Sequence, residues 1–270
     1  MKQIKHFIYN ENDIIGTGSY SKVYKGKNLQ TSQQVAIKSI RKNQILNDIQ
    51  SSKNLIREIQ IQKELKSENI VNLIDFAITK NNYYIILEYC NKGNLQDFIK
   101  QSQKIPENQA KKILLQIIKG LKELNSKKIA HRDIKPSNIL INKKKEKVFQ
   151  VKIADFGFSC FFKDSIMTSR IGTGLYMDPS IILNDEYNEK CDIWSLGVLY
   201  YELLYGKMPW NGQNQDVLLN NIQNMNLIYD KQVKVSEISK DLLRKMLEKN
   251  SKNRISFEEV CNHVLFQPFL

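Results

Sequence analysis

The hydrophobic period of this 270-residue chain changes once, near residues 88–92, and that change limits the fold more than any single motif. Before it, Phe7 to Gly16, Lys22 to Gly26 and Gln34 to Ile40 are short, turn-bounded, β-branched runs of the kind that form strands. Val71 to Ile78 and Tyr83 to Glu88 continue the pattern. One helical stretch interrupts it, Lys53 to Leu65, with Leu55, Ile56, Ile59 and Leu65 at helical spacing. Beyond Asn91-Lys92-Gly93 the period becomes helical. Leu95 to Gln101 and Glu107 to Asn125 predict helices, the second carrying Ile113, Ile117, Leu121 and Leu124 on one face. Further helices are predicted at Asp192 to Tyr205, Asp216 to Asn224, Ser236 to Leu247 and Ser256 to Cys261. A strand-rich front and a helix-rich back predict an α+β architecture of two packed lobes, with boundaries of about 1–88 and 93–270 within a single domain.

Composition narrows the class further. Hydrophobic residues make up 41% and charged residues 26%, as in a soluble globular protein. The first residues, Met1 to His6, lack the apolar core of a signal peptide. The most apolar stretch, Trp194 to Tyr205, is too short to span a bilayer and contains Glu202. The chain therefore reads as soluble, intracellular and cytoplasmic, with no transmembrane segment. Cys90, Cys160, Cys191 and Cys261 lie far apart, lack metal-site spacing and read as free thiols. The net charge of +13 raises a nucleic-acid or acidic-membrane partner. The densest cluster, Lys143 to Lys147, has no interleaved aromatics for base stacking, so solvated lysines are the better reading. An acidic protein partner is compatible with the charge. No feature sets an oligomeric state.

The segment Gly16-Thr17-Gly18-Ser19-Tyr20-Ser21 joins two strand-like runs. Glycines there let backbone N–H groups approach phosphate oxygens without a Cβ in the way. Alone the pattern is weak, and Ser21 at its third position argues against a dinucleotide fold. Lying between two strands, it predicts a hairpin flap. Lys38, in Val35-Ala36-Ile37-Lys38, can project from its strand toward phosphates, and Glu58 on the following helix can pair with it. Either residue in isolation would read as solvated surface.

His131-Arg132-Asp133-Ile134-Lys135-Pro136-Ser137-Asn138 and Ala154-Asp155-Phe156-Gly157 change that balance. With these, the chain resembles the eukaryotic protein kinase family, in order from Gly16 to about Arg254. The resemblance implies a serine/threonine kinase that uses ATP and Mg²⁺ on a protein substrate. Asp133 would orient the substrate hydroxyl and accept its proton. Asn138 and Asp155 would hold Mg²⁺, Lys38 the α- and β-phosphates, and Lys135 the γ-phosphate. Ile15, Val23, Ala36 and Leu140 would enclose adenine, with Gly16 and Gly18 over the phosphates. Glu88 and Cys90, after gatekeeper Leu87 and within a hinge at about 88–92, would bond the base through their backbone. Lys135 and Thr173 point to serine/threonine specificity, and Asp192 would cap the backbone at His131-Arg132. Arg132 and Lys152 would receive a phosphate placed on Thr168 or Ser169. Several stretches, among them Leu87-Glu88-Tyr89-Cys90 and Lys152 to Phe158, are similar to the unc-51-like, autophagy-initiating kinases and in part to calcium/calmodulin-dependent ones.

Three departures from the family pattern carry expectations of their own. Ser180 replaces a glutamate that pairs with an arginine, leaving Arg254 exposed or paired elsewhere and lowering stability near the substrate platform. Gly174 stands where a proline is usual, which should loosen the substrate-binding loop. Gln62 stands where an apolar residue faces Phe156, which should weaken the active arrangement unless its amide is hydrogen-bonded. These departures keep a rival alive, a pseudokinase scaffold or nucleotide-binding regulatory module on the same fold. Lys38, Asp133 and Asp155 argue against it.

Overall fold

The structure, a computed structural model, describes residues 1–18, 20–45, 49–102, 105–143, 149–162, 174–183 and 188–269. Its front is an antiparallel sheet of β1 (Lys2–Ile4), β2 (Phe7–Thr17), β3 (Ser21–Asn28), β4 (Gln34–Arg41), β5 (Leu73–Ile78) and β6 (Asn82–Glu88). Their spatial order is β1-β2-β3-β4-β6-β5. Between β4 and β5 run a short helix α1 (Lys42–Ile45) and the longer α2 (Ile49–Glu64). The two faces of the sheet bury separate clusters. Phe7, Tyr9, Tyr24, Ile37 and Ile86 pack on one side. Ile40 and Ile85 meet Ile45, Leu55 and Ile59 on the other, which fixes α1 and α2 against the sheet.

The helical region begins with α3 (Leu95–Ser102) and α4 (Glu107–Ser126). A pair of two-residue strands follows, β7 (Ile129–Ala130) with β10 (Cys160–Phe161), and a hairpin of β8 (Ile139–Lys143) with β9 (Phe149–Ile153). Then come α5 (Pro179–Ile182), α6 (Lys190–Tyr205), α7 (Gln215–Asn224), α8 (Glu237–Met246) and α9 (Phe257–Cys261). Helix α6 is buried nearly all round, so its sequence shows little amphipathic period and reads as a continuous apolar run. Gly206 ends it at φ 67°, the left-handed cap that favours glycine. Ser236 and Ser256 cap α8 and α9 through their side chains, the latter in a full capping box with Glu259.

The architecture is α+β, as the sequence pattern predicts. The short elements β1, α1, β7, β10 and α5 were not legible. The chain enters the sheet at β1, whose turn to β2 uses Lys5-His6 with Lys5 at φ 51° and no glycine or asparagine. Lys5 Nζ binds Asp75 at 2.8 Å and the Phe76 carbonyl at 3.0 Å, so a tertiary contact holds the turn where local sequence would not. Helix α2 also starts earlier than the predicted Lys53.

The sheet and the helical region are stitched at the back. Val71 N donates to Ile153 O at 2.9 Å, Ile153 N to Asn69 O at 2.8 Å and Glu88 N to Asn72 O at 2.9 Å. Gly120 allows α4 to approach this seam, because a Cβ there would sit 2.8 Å from the Asn69 carbonyl. Among the described residues no helix is long and apolar enough to cross a membrane.

Candidate active site between the sheet and the helical region

Strand β4 pairs with β3 and β6 along its length, so Lys38 is held rigidly opposite Val23 and Ile85. Its Nζ lies 2.6 Å from Glu58 Oε1 of α2 and 3.2 Å from Asp155 Oδ1. Burial alone would favour the neutral amine, but Glu58 and Asp155 outweigh it and raise the Lys38 pKa. Asp155 shifts the other way: the Lys38 ammonium holds its carboxyl below the usual carboxylate range. The Glu58 carboxyl is pushed up by burial, with Lys38 opposing and Asp155 assisting. The cluster therefore keeps an ionised ammonium against an ionised Asp155, whose side chain is still 49% exposed.

Asp155 sits at φ 62° and Arg132 at φ 65°, sparsely populated conformations for residues with a Cβ. The surrounding contacts enforce both. Phe156 is fully buried and meets His131 edge-on with 5.1 Å between ring centroids. His131 Nε2 lies 3.2 Å from the Ala154 carbonyl, and Nδ1 lies 3.3 Å from the Asp133 amide. These two contacts together select the tautomer protonated at Nε2. Asp192 of α6 accepts from His131 N at 2.7 Å and from Arg132 N at 2.8 Å. Burial raises the Asp192 pKa, while His131 and the two amides favour its charged form. The Arg132 side chain donates from Nε to the Phe158 carbonyl at 2.6 Å.

Asp133 is 5% exposed. Its Oδ2 receives Asn138 Nδ2 at 2.7 Å and Lys135 Nζ at 2.7 Å. Asn138 Nδ2 also donates to the Asp133 carbonyl at 2.9 Å, which locks the loop on itself. The sequence-predicted residues thus form two groups: Lys38, Glu58 and Asp155, and Asp133, Lys135 and Asn138. The backbone running from Asn138 to Asp155 links them, for Ala154 N donates to Asn138 O at 2.9 Å.

The glycine segment does join two antiparallel strands: Gly16 pairs with Val23, and Gly18 N donates to Ser21 O at 2.9 Å. Ile15 stays 47% exposed at the edge of the sheet, Ala36 is buried, and Val23 and Leu140 are half-buried. Leu87 lies opposite Ala36 across the β4–β6 ladder. Past the sheet, Lys92 N donates to Ile141 O at 3.0 Å and Ile141 N to Gly93 O at 2.8 Å. Cys90 is buried, and burial together with Glu88 pushes its thiol up to about 12.

Lys152 differs from the sequence-based expectation, and Arg254 takes one of the two alternatives it left open. Lys152 is buried and paired, not open to a phosphate. It is 2% exposed, with Nζ 3.0 Å from Glu88 Oε2 and 3.3 Å from the Ile70 carbonyl. A lysine between Val151 and Ile153 on a strand buried on both faces has few places to go, and the seam carbonyls and Glu88 receive it. Arg254 is buried and paired elsewhere rather than exposed. Its fully buried guanidinium pairs with Asp178, donates to the Lys190 and Glu248 carbonyls at 3.0 and 2.9 Å, and stacks 5.0 Å from the Trp194 ring centroid. Asp178 takes over the charge that Ser180 lacks, and it caps α5 by accepting from Ser180 N at 2.9 Å and Ser180 Oγ at 2.7 Å. Gln62, 4% exposed on α2, has a buried Oε1 with no hydrogen-bond partner among the described residues. At Gly174 a Cβ would meet no described residue within 4 Å. Thr168, Ser169 and Thr173 lie outside the described residues.

A strand lysine paired with a helix glutamate and an aspartate that follows a second strand, beside another aspartate locked by lysine and asparagine, is the arrangement of a protein kinase domain. The sequence model of the protein kinase domain matches residues 9–266, and the chain belongs to that family. Among named relatives, it is 36% identical to serine/threonine-protein kinase unc-51 of Caenorhabditis elegans over all of this chain and 32% of that protein. It is 36% identical to serine/threonine-protein kinase ULK1 of Homo sapiens over 98% of this chain and 25% of that one. Calcium-dependent protein kinase 5 of Plasmodium falciparum is 38% identical over 94% of this chain and 44% of its own length. The chain thus spans a quarter to under half of these relatives.

Proposed function

We propose that this domain transfers the γ-phosphoryl group of ATP to serine and threonine hydroxyls of protein substrates. The observation that carries the reading is the pair of clusters, Lys38 with Glu58 and Asp155 and Asp133 with Lys135 and Asn138, joined by the Ala154 N to Asn138 O bond. Phosphoryl transfer needs positioning and charge neutralisation more than covalent help, and these groups supply both. Lys38, pinned by Glu58, holds the α- and β-phosphates. Lys135 neutralises the γ-phosphate. Asp133, oriented by Asn138, receives the substrate hydroxyl and its proton. Backbone amides at Gly16 and Gly18 cover the phosphates, while Ile15, Val23, Ala36 and Leu140 enclose the adenine. The hinge at about 88–92 bonds the base through the backbone of Glu88 and Cys90.

The donor chemistry fits Mg²⁺. Asp155 is ionised and half-exposed, and Asn138 offers an amide oxygen; both are hard ligands, and few protein ligands suit an ion that keeps water and phosphate oxygens. When bound, the ion neutralises phosphate charge. Lys135 two residues after Asp133, together with the serine/threonine kinases among the relatives, supports hydroxyl rather than phenol acceptors. Placement in the unc-51-like branch, and with it a role in initiating autophagy, rests on the shared short stretches and those relatives. Arg132 beside Asp133 supports regulation by a phosphate on Thr168 or Ser169.

The test is phosphoamino-acid analysis of a generic basic protein incubated with the domain, labelled ATP and Mg²⁺. Label on serine and threonine in the wild type, reduced at least about a thousandfold in Asp133→Asn, supports the proposal. No transfer by the wild type, before or after phosphorylation of Thr168 and Ser169, would instead favour a nucleotide-binding scaffold.

A further inference from the structure

A second concave site lies on the sheet side of the molecule, away from the phosphate-handling residues. The end of β4 and the β5–β6 turn enclose a groove of about 470 Å³, lined by Arg41, Lys42, Asn43, Lys80, Asn81 and Asn82. The turn is fixed by Thr79 N donating to Asn82 O, and β4 is tied to it by Lys42 N donating to Asn81 O, each at 2.9 Å. Arg41 stands opposite Asn82 in the β4–β6 ladder. Three side chains in the lining are cations, three are amides, and no carboxylate is among the described lining residues. None of the three cations enters an ion pair with a described residue, although the fold pairs many other lysines, including Lys5, Lys111 and Lys207. Lys42 instead lies over the Tyr83 ring, 5.2 Å from its centroid.

We propose that this groove docks an acidic peptide segment carrying a phosphorylated serine or threonine, and that its occupation steadies α2. The charge is one-sided, which favours an anion. The site is concave and bordered by three amides, which suits a peptide main chain with its donors and acceptors better than a flat lipid surface. Arg41 and Lys80, both exposed, supply the fork and the point charge that recognise phosphate. Coupling to the active site follows from the chain path. Lys42 opens α1, whose Ile45 is buried with Leu55 and Ile59 of α2, and Ser52 Oγ of α2 donates to the Ile45 carbonyl at 3.2 Å. Ile59 adjoins Glu58, the partner of Lys38. A ligand that fixes the β4–α1 junction thereby favours the α2 position in which Glu58 reaches Lys38. The stimulation half of this proposal rests on the phosphotransfer function above; the docking half does not.

The experiment uses a fluorescein-labelled peptide, Glu-Asp-phosphoSer-Asp-Glu, with its unphosphorylated twin, titrated against the domain by anisotropy at near-physiological salt. Saturable binding is expected for the phosphopeptide, weaker by about tenfold or more in Arg41→Gln/Lys80→Gln, and unchanged within about twofold in Lys231→Gln/Lys234→Gln on the opposite lobe. Equal losses in both double variants would show general attraction to a basic protein and overturn the site. So would no saturable binding, or binding to phosphatidylserine vesicles in place of the peptide. In a parallel assay of phosphate transfer, saturating phosphopeptide is expected to raise the wild-type rate several-fold and to leave Arg41→Gln/Lys80→Gln at the same basal rate. Groove-dependent binding without stimulation would overturn the coupling to α2. Absence of transfer in every sample would defeat the phosphotransfer function and leave the docking result to stand or fall by anisotropy.

Discussion

Replacing Asp178 by alanine strands a cation in the core. The Arg254 side chain is fully buried and that of Asp178 is 1% exposed, so water cannot take over the lost carboxylate. Removing one member of a buried pair costs about 3–5 kcal/mol, and losing the α5 cap adds about 1 kcal/mol. The expected destabilisation is therefore about 4–6 kcal/mol, a large part of the stability of an ordinary domain. For 270 residues the unfolding entropy is roughly 0.6 kcal/mol/K, so the melting midpoint should fall by about 7–11 °C. Differential scanning calorimetry measures this directly, and two further variants separate the causes. Asp178→Asn keeps the cap and removes the charge, so it should show most of the loss. Asp178→Ala/Ser180→Glu moves the carboxylate two residues along and should recover at least half of it. A shift under about 2 °C for Asp178→Ala, or a wild-type midpoint for Asp178→Asn, would refute the claim that Asp178 neutralises Arg254.

Other outcomes follow from the same contacts. Gln62→Leu removes a buried oxygen without a partner among the described residues, and should raise the unfolding free energy by about 1–2 kcal/mol and increase basal phosphotransfer; equal or lower activity would refute that mechanism. Glu107 has its carboxyl held at about 2, because bonds from Lys111, Ser236 and Ser239 outweigh a burial effect that alone would raise it. Its contribution is present above the ordinary carboxylate range near 4.5 and is lost as pH falls toward 2. Glu107→Gln should therefore cost about 1–3 kcal/mol in urea unfolding at pH 7 and almost nothing near pH 2. Lys152→Met leaves Glu88 without its cation beneath the hinge and should weaken ATP binding, read as a raised KM for ATP with kcat less affected; an unchanged KM would count against this.

Most of the candidate site's geometry was readable because each part is placed by its own local chain. The glycine segment falls between two strand runs, Lys38 on the next strand and Glu58 on the next helix, while Asp133, Asn138 and Asp155 lie in compact loops whose spacing is itself the signal. The unread parts depend on distant partners. Asp178 and Arg254 meet across 76 positions, so an aspartate two residues from the expected glutamate carried no sign of its role. Lys152 reads in sequence as a partner for a phosphate beside Arg132, and only the seam between Ile70 and Ile153 buries it. The β1 turn lacks a turn dipeptide and relies on Lys5 reaching Asp75. The cationic groove joins residues from two separate turns, and no window of sequence displays it.

The central claim is that Lys38 and Asp155, 3.2 Å apart, act together on a nucleotide phosphate. Single-turnover transfer of labelled γ-phosphate, measured for wild type, Lys38→Met and Asp155→Ala at matched folded concentration, tests it most directly. Rapid labelling of protein hydroxyls by the wild type alone is the expected result. Undiminished labelling by either variant, with the fold intact by circular dichroism, would contradict it.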